Sequence, residues 1–243
     1  MNIKHNLLDI EGTTAPIAFV HQILFPYAKK HIVGFLKNYQ FTEVKWEEIR
    51  LEFEKDIVLR EEKFVSRFSA NGSNLKSELL SFSPEVVPSY FEYLIEKDRK
   101  FGPLKEVQGK IWKQGYESGE IKSTVYPDVL EFLKKMQAEG IQNHVYSSGS
   151  VEAQILIYQY SELGDLRNYF VSYYDTAVGG KRDKQSYENI AIELKSPSNQ
   201  IRFFTDIVEE AEAASSAGMD VVILNRPGNI PQKPHSFPVW DHF

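Results

Sequence analysis

Four places in this chain carry residues that could act together on a substrate. The first is Asp9-Ile10-Glu11-Gly12-Thr13, two acids one residue apart at the start of a turn. The second is Ser147-Ser148, the third is Lys181 behind Gly179-Gly180, and the fourth is Thr205-Asp206 with Glu209 and Glu210 just beyond. Asp9 lies between Leu8 and Ile10 at the end of an apolar run. That position threatens it with burial, and buried carboxylates are paired or metal-bound. The other places also have plainer readings. An Asp after a strand is a turn former or helix cap, and serines before a helix are N-caps. Gly179-Gly180-Lys181 reads as a loop with a solvated lysine. It is not a P-loop, because that spacing meets Asp175 and Arg182 instead of Gly and Ser or Thr.

The elements that would position these residues follow from hydrophobic rhythm. Ile3 to Ile10 predicts a buried strand ending in a polar loop. From Ile17 to about Phe101 the pattern is helical, with Ile17, Val20, Leu24, Tyr27 and Ala28 keeping a three-to-four spacing. Ser83-Pro84 predicts an N-cap and first-turn proline before a helix with Val87, Phe91, Leu94 and Ile95 on one face. A turn and helix follow at Pro103 to Gly119, with Trp112 and Tyr116 expected to pack in a core or face the site.

After Val125 helices and strands alternate. Helices are expected at Pro127–Gln137, Ser150–Tyr158, Asp183–Leu194 and Val208–Ala217. Strands are expected at Gln142–Tyr146, Tyr169–Tyr173, Ile201–Thr205 and Val221–Leu224. Three prolines in the last thirteen residues predict an irregular tail. Such alternation implies a parallel sheet with helices on both faces. The expected fold is thus α/β, a Rossmann-like doubly wound parallel sheet core interrupted by an all-helical insertion. The expected boundaries are a core of residues 1–16 and 122–243 and a helical domain of residues 17–121. Ligands of an open parallel sheet bind outside the carboxyl ends of the strands, where Asp9, Ser147 and Asp206 fall.

Composition narrows the chemistry. The 243 residues include 34 Asp and Glu against 28 Lys and Arg, a formal charge of −6. Without a basic block, nucleic acid is a poor partner. There is no cysteine, so disulfides, zinc-thiolate sites and a thiol nucleophile are excluded, and oxygen ligands favour magnesium, manganese or calcium. No apolar stretch approaches the ~20 residues of a membrane helix, and Asp9 and Glu11 interrupt any leader-like segment. The default expectation is a cytoplasmic protein (the nucleus being a second possible compartment) that acts as a monomer, without nucleic-acid or membrane partners. The six histidines form no HExxH pattern, and His21 reads as packed or solvated.

The order of these residues resembles the haloacid-dehalogenase-like phosphatases. Within them, Asp9-Ile10-Glu11-Gly12-Thr13-Thr14, Pro16-Ile17, Phe19-Val20 and Leu24-Phe25-Pro26-Tyr27 resemble the enolase-phosphatases of methionine salvage, the acireductone synthases. So do Tyr146-Ser147-Ser148-Gly149-Ser150-Val151-Glu152-Ala153-Gln154, Gln185-Ser186-Tyr187, Thr205-Asp206 and Arg226-Pro227-Gly228-Asn229. The resemblance fades between Gln40 and Ser83.

That resemblance implies Asp9 as the nucleophile and Glu11 as general acid and base. It implies one Mg2+ held by Asp9, the Glu11 backbone carbonyl and Asp206, with Ser147, Ser148 and Lys181 on the substrate. Glu210 stands where the superfamily has a further acid near the metal, although solvation is an equal expectation for Glu209 and Glu210. The helical insertion would be the cap. The implied substrate is a phosphorylated diketone, 2,3-diketo-5-methylthiopentyl-1-phosphate, converted to 1,2-dihydroxy-3-keto-5-methylthiopentene and phosphate. A phosphatase for another small phosphate ester, or a non-catalytic metal-binding interaction protein, are the competing expectations.

Overall fold

The computed structural model describes residues 2–68 and 81–243. Chain contacts divide these into two compact units, one of residues 1–24 and 112–243 and one of residues 25–111. In chain order the elements are β1 (His5–Leu8), α1 (Ile17–Phe19), α2 (Phe25–Leu36), α3 (Glu43–Leu59), α4 (Glu62–Phe68), α5 (Val87–Glu96), α6 (Gly102–Glu117), α7 (Pro127–Ala138), β2 (Gln142–Tyr146), α8 (Val151–Gln159), β3 (Phe170–Tyr174), α9 (Lys184–Glu193), β4 (Ile201–Thr205), α10 (Val208–Ser216), β5 (Asp220–Leu224) and β6 (Val239–Trp240).

The first unit is built on a six-stranded sheet in the order β3-β2-β1-β4-β5-β6. Every neighbouring pair is parallel. Toward their carboxyl ends the central strands β1 and β4 are apolar on both faces, as a sheet covered by helices on both sides requires. Leu7, Phe203, Val221 and Ile223 point to one face, where they join Tyr187 and Ile190 of α9 and Val208 and Ala211 of α10. Phe204, one residue on, points the other way and meets Phe132 of α7 with ring centroids 5.5 Å apart. After β3 the chain returns to pair β4 with β1, so the order reverses between these two strands. Ligands of doubly wound sheets gather at such a switch point.

Several expectations shift by small amounts. The first strand stops at Leu8, and the tail is not wholly irregular, because Val239 and Trp240 add β6 beside β5. Between Ile17 and Ala28 the helical period is broken by a π-helical turn at Val20–Leu24. Ser83 does not cap an α-helix through its side chain. It precedes a 3₁₀ turn at Pro84–Val86, and the α-helix starts at Val87. The N-cap before α8 is Ser150, which accepts from Ala153 N, so neither Ser147 nor Ser148 holds that role.

The second unit is helical, with α2 packed on α5. The part of the predicted helical stretch at residues 69–80 lies outside the described residues. Its core is aromatic. Phe53 meets Tyr90 edge-on at 4.9 Å and Phe64 at 5.2 Å. One charge is buried within it, since Asp56 is 1% exposed. Arg99 Nη1 satisfies it at 2.8 Å on both oxygens and the Tyr90 hydroxyl donates at 2.7 Å, partners without which such burial would cost several kcal/mol. Trp112 and Tyr116 fall in the first unit and are core residues. The Trp112 indole donates to Leu24 O at 2.8 Å, and Tyr116 stacks on Tyr160.

Away from the strand ends, polar side chains are paired inside the sheet. Asn6 donates to Asn143 at 3.0 Å, and His144 is hydrogen-bonded to both His5 (3.1 Å) and Ser172 (2.6 Å). Burial, and then the neighbouring His5, lower the His144 pKa to about 4. The unfolded chain therefore takes up protons first, from about pH 6.5 downward. The stability this histidine contributes is complete above that pH and is lost as pH falls toward 4. The full effect is on the order of 3 kcal/mol. Urea unfolding of wild type should weaken between pH 7 and pH 5 relative to His144→Asn. Parallel pH profiles for the two proteins would refute the assignment.

Candidate active site

The loop after β1 is a tight turn. The amides of Thr13, Thr14 and Ala15 all donate to Ile10 O, at 3.2, 3.0 and 2.8 Å. Gly12 has φ +70°, a conformation that costs glycine little. It also has no room for a side chain, since a Cβ there would come 2.3 Å from Asp206 Oδ2. The turn thus lies against the end of β4. Asp9 is 4% exposed, and its Oδ1 accepts from Ile10 N at 2.7 Å. Its carbonyl accepts from the Thr14 hydroxyl, which Tyr158 supports at 2.8 Å.

Lys181 reaches this carboxylate from the loop after β3. Its Nζ is 2.7 Å from Asp9 Oδ1 and 2.8 Å from Glu210 Oε2. Glu210 also accepts from the Thr205 hydroxyl at 2.8 Å. The lysine is 7% exposed, not the solvated loop residue of the plainer reading. Its loop is pinned from α9. The hydroxyl of Ser186 donates to Gly180 O at 2.8 Å and that of Tyr187 to Lys181 O at 2.6 Å. Gly179, at φ +133°, passes so close to Ser186 that a Cβ would lie 2.1 Å from its Oγ. The Gln185-Ser186-Tyr187 stretch earns its place by holding the lysine.

One ammonium faces three carboxylates here, those of Asp9, Asp206 and Glu210. Burial raises the Asp9 pKa well above the usual carboxylate range; Lys181 opposes this, while Glu210 and Asp206 add to it. Asp206, 6% exposed, is pushed up to about 7 by burial, again against the pull of Lys181. Burial alone would depress the Lys181 ammonium, but its two anionic partners raise it. The site holds excess negative charge and remains short of cations.

The remaining predicted residues take distinct places. Glu11 lies on the turn with its carboxylate about two-fifths exposed, 3.9 Å from His21 Nε2, which the π-helical turn carries. Ser147 follows β2 and is 6% exposed; its backbone N donates to Tyr174 O. Register sets Leu8 beside Val145, so Ser147 stands one step beyond the level of Asp9 on the adjacent strand end. Gln154 of α8 holds this loop from beneath, donating to Gly149 O at 2.9 Å and Tyr174 O at 2.8 Å. Ser148 lies in the same loop, half-buried. Glu209 and Glu210 separate: Glu209 pairs with Lys233 at the surface, whereas Glu210 turns in to Lys181.

Two residues carried no chemical signal in the sequence beyond their place in a matching stretch. Arg226, 5% exposed, donates to Thr13 O at 3.1 Å and to Asp128 at 2.7 Å, under the rings of Tyr126 and Phe243. Asn229 donates to Gly12 O at 2.9 Å. Together they clamp the turn that follows Asp9.

A divalent cation fits the donor chemistry. Two buried carboxylates, Asp9 and Asp206, carry pKa values raised by burial and by their acidic neighbours, a penalty that a cation would relieve, and their oxygens are hard donors of the kind magnesium takes. Among the described residues no three His, Cys, Asp or Glu side chains group to hold a metal, so a third protein ligand would be a backbone carbonyl or a neutral side-chain oxygen.

A parallel sheet with a buried acid–lysine cluster at its switch point defines a class, and the comparisons agree with it. The family model for haloacid dehalogenase-like hydrolases matches residues 3–218. Enolase-phosphatase E1 of Leptospira biflexa serovar Patoc is 67% identical over the full length of both chains. That of Drosophila erecta is 45% identical over 92% of this chain and 83% of its own. Among solved structures, the UTR4 protein of Saccharomyces cerevisiae superposes with TM-score 0.74 at 31% identity, covering 100% of this chain and 99% of that one. CbbY of Rhodobacter sphaeroides, solved with phosphate, shares the fold alone, with TM-score 0.57 at 15% identity over 99% and 94% of the chains. The chain is a phosphatase of the haloacid dehalogenase-like hydrolases, and it belongs to their enolase-phosphatase E1 family. No helix among its described residues is long and apolar enough to cross a membrane.

Proposed function

We propose that this enzyme removes phosphate from 2,3-diketo-5-methylthiopentyl-1-phosphate after its enolisation, releasing 1,2-dihydroxy-3-keto-5-methylthiopentene, and that Asp9 is its nucleophile. The observation that supports this most is the buried cluster of Asp9, Lys181, Glu210 and Asp206 beyond the ends of β1 and β4, where the strand order reverses.

Asp9 is assigned the attack on phosphorus. Its carboxylate is fixed by the Ile10 amide and by Lys181, so little ordering remains for the reaction. An Asp9 oxygen bonds to phosphorus as the bond from phosphorus to the substrate oxygen breaks, leaving an aspartyl phosphate. Glu11, half-exposed on the turn, gives its proton to the departing oxygen. As a carboxylate it then takes a proton from water while the water oxygen bonds to phosphorus, and Asp9 leaves with its electron pair restored. Lys181 and the Ser147 hydroxyl offset the charge on the phosphoryl oxygens, and Ser148 contacts the substrate. Asp9, the Glu11 carbonyl and Asp206 would hold one magnesium ion, which when bound neutralises phosphoryl charge. The helical unit of residues 25–111 is assigned substrate selection.

The test is phosphate release with magnesium from the diketo phosphate and from a panel of sugar phosphates. Turnover of the diketo phosphate should exceed the panel by at least about a hundredfold in kcat/KM, a difference of about 2.7 kcal/mol. A strong preference for the panel would reassign the substrate while leaving the phosphatase chemistry in place.

A further inference from the structure

The Asn229 side chain is oriented without ambiguity. Its Nδ2 donates to two backbone carbonyls, Gly12 O at 2.9 Å and Leu224 O at 3.2 Å. Carbonyls can only accept, so the amide cannot be turned over, and Oδ1 faces the other way. That Oδ1 is buried and has no hydrogen-bond partner. Leaving such an acceptor unsatisfied costs about 1–3 kcal/mol, so something ought to meet it.

Near it lies Asp206, the acid that follows β4. A Cβ built on Gly12 would lie 2.3 Å from Asp206 Oδ2 and 2.9 Å from Asn229 Oδ1. Two acceptor oxygens, one from a carboxylate and one from an amide, therefore lie together against the side of Gly12, where only a glycine fits. Acceptors do not bond to each other. They share a donor or a cation, and amide oxygens belong to the set that hard divalent cations accept.

We infer that Asn229 Oδ1 is a neutral oxygen donor of the divalent-cation site. This rests on the reading that Asp9, the Glu11 carbonyl and Asp206 hold the cation. The residue then has two functions on its two amide ends. Nδ2 clamps the turn after Glu11, and Oδ1 completes the oxygen set on the Asp206 side. A neutral donor adds coordination without adding charge to a cluster already rich in carboxylates.

Cation binding to the purified full chain at pH 7.5 tests this directly, with Mn2+ followed by electron paramagnetic resonance and Mg2+ by calorimetry. Circular dichroism checks the fold of each variant. Asn229→Ala should weaken the Kd by roughly 10–100-fold, as loss of supporting groups at metal sites does. Asn229→Ser is read the same way should the alanine variant not fold. Asn229→Asp keeps an oxygen toward Asp206 but loses the clamp, and should bind the cation more tightly than Asn229→Ala. A wild-type Kd in folded Asn229→Ala or Asn229→Ser overturns the inference. So does Asn229→Asp binding as weakly as Asn229→Ala, which would reduce the residue to a clamp. Wild type that binds neither cation, like Asp206→Asn, overturns the metal reading itself.

Discussion

Asp9→Asn should release no measurable phosphate from the diketo phosphate while folding as wild type does. Loss of an enzyme nucleophile costs about 10⁴–10⁶-fold in kcat, and an amide cannot form the acyl phosphate. The fold should survive because the substitution removes a negative charge from a place that has too many. Lys181 keeps its 2.8 Å partner in Glu210, and the Ile10 amide can still be met by the Asn oxygen that replaces Oδ1. Relief of repulsion from Asp206 and Glu210 offsets the lost pair with Lys181, so Tm should move by only a few degrees. Phosphate release at more than about 1% of the wild-type rate in the folded variant would remove Asp9 as the nucleophile.

The sequence made the strand ends legible because each strand is a short apolar run closed by a polar turn. β4 was readable to the residue, since Ile201–Thr205 is bounded by Asn199-Gln200 and Asp206. What lay beyond reach depended on contacts distant in the chain. Residue type does not tell Glu210 from Glu209; the resemblance points to Glu210 by position alone, and the first turn of α10 sends it to Lys181 and its neighbour to Lys233. Ser147, Ser148 and Ser150 all fit a cap by type, and the backbone entering α8 selects the last. β6 is two residues long after Pro238 and exists because β5 offers it an edge. The partnership of Asn229 with Gly12 spans 217 positions, and an Asn in a Pro-Gly turn gives no local sign of it.

Lys181→Met is the substitution expected to damage stability most, and by a route that can be read from pH. Methionine keeps most of the volume but strips the one buried cation seen bridging Asp9 and Glu210. Breaking a buried pair by removing one partner costs about 3–5 kcal/mol, because the charges left behind are uncompensated. The carboxylates respond by holding protons. Lys181 is the group that lowers the pKa of both Asp9 and Asp206, so without it both rise further, and Asp206 passes the value of about 7 it has beside the lysine.

A carboxyl group whose pKa is higher folded than unfolded favours the folded state at low pH. That contribution is complete below the unfolded value near 4 and is lost as pH rises through the folded value. The stability gap between Lys181→Met and wild type should therefore be widest at pH 7.5 to 8 and narrow as pH falls to 5. Urea unfolding of the metal-free proteins at these pH values measures it. A gap of the same size throughout would mean that the lysine acts by packing alone. Turnover should fall by about 10²–10³-fold as well, the usual loss when one preorganised group facing transition-state charge is removed. Magnesium, supplying positive charge to Asp9 and Asp206, should recover part of the stability of the variant at pH 7.5 but little of its rate, since Lys181 is assigned a contact of its own on the phosphoryl oxygens.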